Sequence, residues 1–303
     1  MKSGKVTSGP DVFFYIAREA IEGHGEDSWY CATDYSNTLL GVFDGSGGIG
    51  AQTYCNYKGH TGAYMAARAV SGGVKAWYKS KNELPLESMV QAALGVCTKY
   101  ADNTQGIKIK GSLRKDFPTT MAMLSLKDEI HTVIADCFWA GDSRCYVLDG
   151  SGLHQLTEDD IANTDPMANL AEDGVLKNVI NASVPYVIHH KTYEFIKPCI
   201  LLTATDGCFG YLPSPMHFEN LLIESLEQSE SICQWKDKMD SYLRECAGDD
   251  YTMCIAGYGY SCFYQLKKSY KERCYTLKEN YLTDGVELQR LWGLYKKEYC
   301  KYL

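Results

Sequence analysis

The chain has 303 residues and 45% apolar composition, enough to bury a large core as one domain or as a large domain with an appendage, and too apolar for a disordered chain. Its formal charge of −8, with no Lys/Arg cluster before the final stretch, argues against nucleic acid as a partner. No apolar run reaches the roughly 18 residues of a membrane span, and Met1 to Pro10 (MKSGKVTSGP) lacks the apolar segment of a signal peptide, so we expect a cytoplasmic protein with no membrane partner.

In chain order, residues 11–21 (DVFFYIAREAI) and 28–35 (SWYCATDY) are aromatic and β-branched between Gly, Asp and Asn, which predicts two strands. The loop between them, GHGED at 23–27, carries an acidic pair. A strand over 38–44 runs into a glycine-rich turn. Residues 59–80 and 86–105 read as helices, with Gly72 and Gly73 expected to kink or break the first. Four further strands, 119–126, 131–140, 144–149 and 153–157, are separated by short turns and predict an antiparallel meander. A short helix over 174–183, strands over 186–196 and 199–205, two helices within 216–246 and a last strand over 251–258 follow. The tail, 262–303, places Tyr, Leu and Trp at helical spacings among lysines and reads as amphipathic helix. Blocks of strands and blocks of helices predict an α+β fold with antiparallel sheets and helices packed outside. Thirteen cysteines, odd in number and without a CxxC pair, sit mostly in apolar runs, as Cys31, Cys137, Cys199 and Cys254 do, and read as reduced core thiols.

One local grammar recurs. LLGVFDGSGGIG at 39–50 delivers Asp44 from a buried strand into a turn containing Gly45, Gly47, Gly48 and Gly50. Gly141-Asp142-Ser143-Arg144, Asp206-Gly207 after CILLTAT, and Gly248-Asp249-Asp250 before YTMCI repeat it, and Glu26-Asp27 adds a fifth acidic position. Singly, each Asp-Gly is a turn signal. Together, carboxylates at the ends of buried strands repel one another unless cations neutralise them, and an oxygen-only set suits Mg²⁺ or Mn²⁺ better than zinc.

These motifs, in the order GHGED, GVFDGSGG, PTTMAML (118–124), WAGDSRCYVLDGSGLHQLTED (139–159), LLTATDGCFGYL (201–212) and GDDYTMCIAGYG (248–259), resemble the metal-dependent protein serine/threonine phosphatases of the protein phosphatase 2C type, in the form found in bacteria. The resemblance covers about residues 12–259. It implies a phosphatase domain over 1–260, built as a four-layer sandwich of two antiparallel sheets flanked by helices, and a helical extension over 261–303 that packs on it or docks a protein partner. It also implies Mn²⁺- or Mg²⁺-dependent hydrolysis of phosphoserine and phosphothreonine on a phosphoprotein substrate, by a water shared between two ions about 4 Å apart. Position by position, Asp44 matches the carboxylate bridging both ions, and the Gly45 carbonyl and Glu26 match ligands of the second. Asp206 and Asp249 match ligands of the first, and Asp142 that of a third, weaker ion. Asp27 is expected to support this shell indirectly, and Thr119 and Thr120 to pack behind it.

The match departs from the family in three places. Glu22 stands where an arginine usually clamps substrate phosphate, leaving Arg18, Lys58 and Arg114 as replacement candidates. Ser46 stands where many members place a histidine, and His24 is the candidate general acid in its stead. The flap that tunes substrate choice, between Asp160 and Gly174, is short, which predicts weak intrinsic selectivity. Two other readings are a pseudophosphatase that uses the fold as a binding or regulatory module, and a two-metal hydrolase of a small phosphoester.

Overall fold

A computed structural model describes residues 9–54, 59–81, 83–102, 116–163, 165–171, 175–282 and 286–303. Strands β1 (Val12–Arg18), β2 (Ser28–Asp34), β3 (Asn37–Phe43), β4 (Met121–Asp128), β5 (Thr132–Ala140), β6 (Arg144–Asp149), β7 (Gly152–Gln155), β8 (His189–Ile196), β9 (Cys199–Ala204) and β10 (Tyr251–Tyr258) form two five-stranded sheets. One has the order β1-β10-β9-β6-β7 and the other β2-β3-β4-β5-β8, and every pairing is antiparallel. The helices are α1 (Gly47–Gly50), α2 (Gly62–Lys79), α3 (Leu86–Asp102), α4 (Ala168–Ala171), α5 (Pro215–Glu227), α6 (Ile232–Cys246), α7 (Phe263–Asn280) and α8 (Val286–Tyr299). The expected α+β sandwich is therefore the architecture observed.

Alternation explains the layers. Leu40 and Val42 of β3, with Leu124, Cys137, Val147, Leu201 and Cys254, fill the space between the sheets. Leu39 and Phe43, pointing the other way, meet Val70, Val74 and Trp77 of α2 and Val90 of α3. On the outer face of the other sheet, Phe14, Ile16, Leu202 and Met253 pack under α5 to α8.

Register gathers the strand ends. Ser28 opposes Phe43, Met121 opposes Ala140, Arg144 opposes Ala204, and Arg18 opposes Tyr251. In antiparallel pairs the end of one strand lies beside the start of the next. The segments following β1, β3, β5 and β9 and preceding β10 consequently emerge at one edge of the sandwich.

Three sequence expectations change. The meander breaks after β5, because the turn at Gly141 carries the chain across to the other sheet. Gly141 has φ +98°, and a Cβ there would stand 2.8 Å from Thr120, so the crossing needs glycine. Helix α2 runs unbroken through Gly72 and Gly73. Gly73 lies against the Met89 carbonyl of α3, where a side chain would block helix contact. The short helix expected over 174–183 is instead α4 at 168–171. Described residues from 175 onward form bends held by Asn178 and Asn181, whose side chains satisfy neighbouring backbone groups and compete with helix.

The tail forms two helices. Leu266, Tyr270 and Leu277 of α7 and Leu288, Leu291, Trp292, Tyr295 and Tyr299 of α8 belong to the same buried cluster as α5 and α6. The cysteines among the described residues are free thiols, and Cys137, Cys199 and Cys254 are buried. Among the described residues no helix is long and apolar enough to cross a membrane.

Candidate active site

A cavity of about 920 Å³ opens at the edge where the strand ends collect. His24, Glu26, Asp44, Gly45, Asp142, Asp206 and Asp249 all line it, so each residue singled out from sequence for catalysis or metal binding reaches one place.

Asp44 is the most firmly held. Its backbone N–H donates to Thr120 Oγ1 at 3.2 Å, and its carbonyl accepts from the Thr119 hydroxyl at 2.7 Å and the Thr120 N–H at 2.8 Å. Thr120 Oγ1 also shares a 2.6 Å hydrogen bond with Ser143 Oγ, joining the turn after β3 to the crossing after β5. The threonine pair thus stands behind the site, as expected. Burial pushes the Asp44 carboxyl well above the usual range, and Asp206, Asp27, Asp142 and Asp249 push it further by repulsion.

The acidic loop is anchored by Asp250, which sequence reasoning left without a role. Asp250 accepts from the Ala20 N–H at 2.7 Å and from the Glu26 N–H at 2.5 Å. Thr61, at the start of α2, donates its hydroxyl to Glu26 Oε1, and Arg68 donates to the carbonyls of Gly25 and Glu26. Burial raises the Glu26 carboxyl, while the Thr61 hydrogen bond opposes it. Asp27 does not line the cavity. It accepts from Thr205 Oγ1 at 2.9 Å, and burial pushes its carboxyl up to about 8 against the help of Thr252 and Thr205.

Asp142 follows the sheet crossing. Burial first, then repulsion from Asp206 and Asp159, pushes its carboxyl up to about 8, and its Oδ1 is buried without a hydrogen-bond partner among the described residues. A buried, unpartnered carboxylate oxygen facing other acids fits a cation, and the donors lining the cavity are carboxylates and backbone carbonyls. Among the described residues no three His, Cys, Asp or Glu side chains are grouped closely enough to hold an ion alone, so backbone carbonyls such as that of Gly45, and water, would complete any coordination.

The cations near the site are engaged. Arg144 lines the cavity, yet it is 2% exposed, bonds both oxygens of Asp159 at 2.9 and 2.6 Å and lies over the Phe209 ring. Arg18 does not line the cavity. It pairs with Asp240 of α6, with contacts from 2.8 to 3.2 Å, which removes it as a phosphate clamp. Lys58 and Arg114 lie outside the described residues. Glu22 is exposed and does not line the cavity; Ser46 does, with its hydroxyl buried and unpartnered among the described residues. His24 is exposed at the cavity mouth, and its N–H donates to the Ile21 carbonyl in a tight turn. Asp159 and Asp250 could have been suspected from sequence, since both extend acidic runs already noted in TED and GDD.

No protein-family model matches this chain, and none of the curated proteins matches it in sequence. Solved structures do share its fold. The serine/threonine phosphatase Stp1 from Staphylococcus aureus is 15% identical, with a TM-score of 0.58, over 86% of this chain and all of that one (100%). The serine/threonine phosphatase PstP/Ppp of Mycobacterium tuberculosis is 16% identical with a TM-score of 0.56, over 82% of this chain and 100% of its own. The catalytic domain of PstP in complex with two manganese ions is 15% identical with a TM-score of 0.51, over 81% of this chain and 98% of its own. At these identities the likeness establishes the fold, which is that of protein phosphatase 2C.

Proposed function

We propose that this protein is a Mn²⁺- or Mg²⁺-dependent phosphatase acting on phosphoserine and phosphothreonine in proteins. The observation that carries the reading is the convergence of Glu26, Asp44, Asp142, Asp206 and Asp249, from five separate chain segments, on one cavity of a fold whose solved representatives include serine/threonine phosphatases. The manganese in one of them supports the choice of ion.

In this reading Asp44 would serve both ions, the Gly45 carbonyl and Glu26 would help hold the second, Asp206 and Asp249 the first, and Asp142 a third, weaker one. Bound there, the ions would supply Lewis-acid activation of a water nucleophile and neutralise charge at phosphorus. The protein's part is placement. The threonine pair and Ser143 fix Asp44, Thr61 orients Glu26, and Asp250 sets the height of the acidic loop. In this reading His24, which lines the cavity mouth, donates a proton to the departing serine or threonine oxygen. Replacing it with Gln should alter the pH dependence of the rate, and an unchanged profile would remove His24 from the mechanism. With Arg144 committed to Asp159, no arginine or lysine among the described lining residues duplicates the clamp absent at Glu22, so in this reading phosphate affinity rests chiefly on the ions.

The direct test is hydrolysis of a chromogenic phosphate ester and a phosphothreonine peptide, with and without Mn²⁺, by the wild type and by Asp206→Ala. Metal-dependent turnover lost in the variant supports the reading. Turnover of the ester alone would move the assignment to a small phosphoester, and no turnover despite metal binding would move it to a binding module.

A further inference from the structure

The residues lining the cavity combine an acidic set with a group of large apolar side chains. Among the described lining residues, the one cationic side chain besides His24 is Arg144, buried against Asp159, and the other charged groups are acids. Beside the exposed His24 and Asp249, the mouth carries a group of apolar side chains. Ile21 is 67% exposed, Val175 72%, Val184 48% and Tyr211 50%, and all four line the same cavity. Large apolar side chains left in water around one opening mark a surface built to be covered.

Ile21, Tyr211 and Val184 of this rim are held in place before anything binds. The turn carrying Ile21 is tied by the Ala20 N–H to Asp250 and by the His24 N–H to the Ile21 carbonyl. The Tyr211 ring lies against Gly248, where a Cβ would stand 2.6 Å from it, directly before Asp249. Val184 follows a loop in which Asn181 accepts from the N–H groups of Ser183 and Val184, and Asn178 links the same loop to Asp160 and Val187. An ordered apolar rim loses little entropy when it is covered, so its burial contributes to affinity.

We infer that the rim takes an extended phosphopeptide whose residues flanking the phosphorylated position are apolar or aromatic. The inference rests on the phosphatase reading above, since the phosphate must enter the acidic floor with its ions. Charge complementarity excludes the other flanks. Acidic neighbours would find no free cation among the described lining residues, and basic neighbours would compete with the ions for the carboxylates. The short flap does not leave the enzyme indiscriminate; selectivity comes from the rim.

The test uses phosphothreonine peptides identical except for flanking Leu/Phe, Ser/Gly, Lys or Asp residues, with Mn²⁺ and a chromogenic phosphate ester as the reference in each preparation. The Leu/Phe peptide is expected to exceed the Ser/Gly peptide in kcat/KM by about tenfold, what burying roughly two methylenes contributes. Ile21→Asp and Val175→Asp, at exposed positions that cost the fold little, should each shrink that ratio severalfold relative to ester turnover. Affinities of the same peptides for Asp206→Asn, followed by fluorescence anisotropy, should fall in the same order. Turnover of all peptides at equal efficiency, or a ratio untouched by both rim variants, overturns the inference and leaves the phosphatase reading standing. Ordered affinities with no turnover of any ester would sink the phosphatase reading and not the rim.

Discussion

Two regions of this protein gather carboxylates and treat them in opposite ways. Along the seam where the tail helices meet the domain, acids have protein partners. Glu219, fully buried, takes both Arg273 nitrogens, at 2.6 and 2.8 Å, and the Tyr295 hydroxyl. Asp165 accepts from Trp292 Nε1 at 3.0 Å and Lys296 Nζ at 2.8 Å, and Asp149 faces His154, whose Nδ1 lies 2.6 Å from the Glu298 carbonyl. In the cavity, Asp44 and Asp142 are instead raised by burial and by each other's neighbours. Burying a charge is costly wherever it happens, so a compensated acid serves the fold, while acids crowded chiefly by other acids are suited to a cation from outside.

That contrast can be broken from either side. The largest effect belongs to the cavity: Asp206→Ala should lower Mn²⁺-dependent ester turnover by at least roughly 10³-fold, the several kcal/mol expected of a lost Lewis acid, while circular dichroism and the urea midpoint stay close to wild type. Unfolding of the variant would mean that Asp206 serves the fold. At the seam, Arg273→Met strands Glu219 in the core with Tyr295 alone and should cost about 3–5 kcal/mol in urea unfolding, with activity per folded molecule retained. Comparable activity loss in both variants would erase the distinction drawn here.

Metal addition gives the next largest effect. Mn²⁺ at a hundredfold excess over its Kd should stabilise the wild type by ~2.7 kcal/mol, visible as a rise in Tm, and by much less in Asp44→Asn. A rise of equal size in the variant would place the ion elsewhere.

The smallest effect is a pH dependence at the seam. Burial lowers the His154 imidazolium, the Asp149 carboxylate and Glu298 carbonyl raise it more, and the net shift is upward. Ser151, which donates to Asp149, and Lys301, which opposes the charge, are the other groups acting on the pair. A raised folded value means that the stability from charged His154 is fully present below its unfolded value near 6.5 and is lost as pH rises through the folded one. The urea midpoint should therefore fall from pH about 6 to about 8, and His154→Gln should flatten that slope at a cost of ~1 kcal/mol.

Much of this molecule is legible along the chain because its grammar is local. An apolar run ending in Asp-Gly marks both a strand and the acid at its end, so β3, β9 and β10 and the acids beside them follow from composition and turn chemistry over a few residues. The tail's helical character follows from its spacing in the same way. Pairings between distant segments carry no such signal. Arg18 meets Asp240 across 222 positions, which occupies one of the three cations that sequence offered as a phosphate clamp, and Arg144 takes Asp159. The crossing after β5 is equally hidden, because a glycine turn reads alike whether the next strand joins the same sheet or the opposite one. Which carboxylates stand at strand ends is written in short stretches of chain, since side-chain alternation and turn preference act between neighbours. Which of those charges the protein neutralises itself emerges on folding, because electrostatic compensation depends on distance through space and not on separation along the chain.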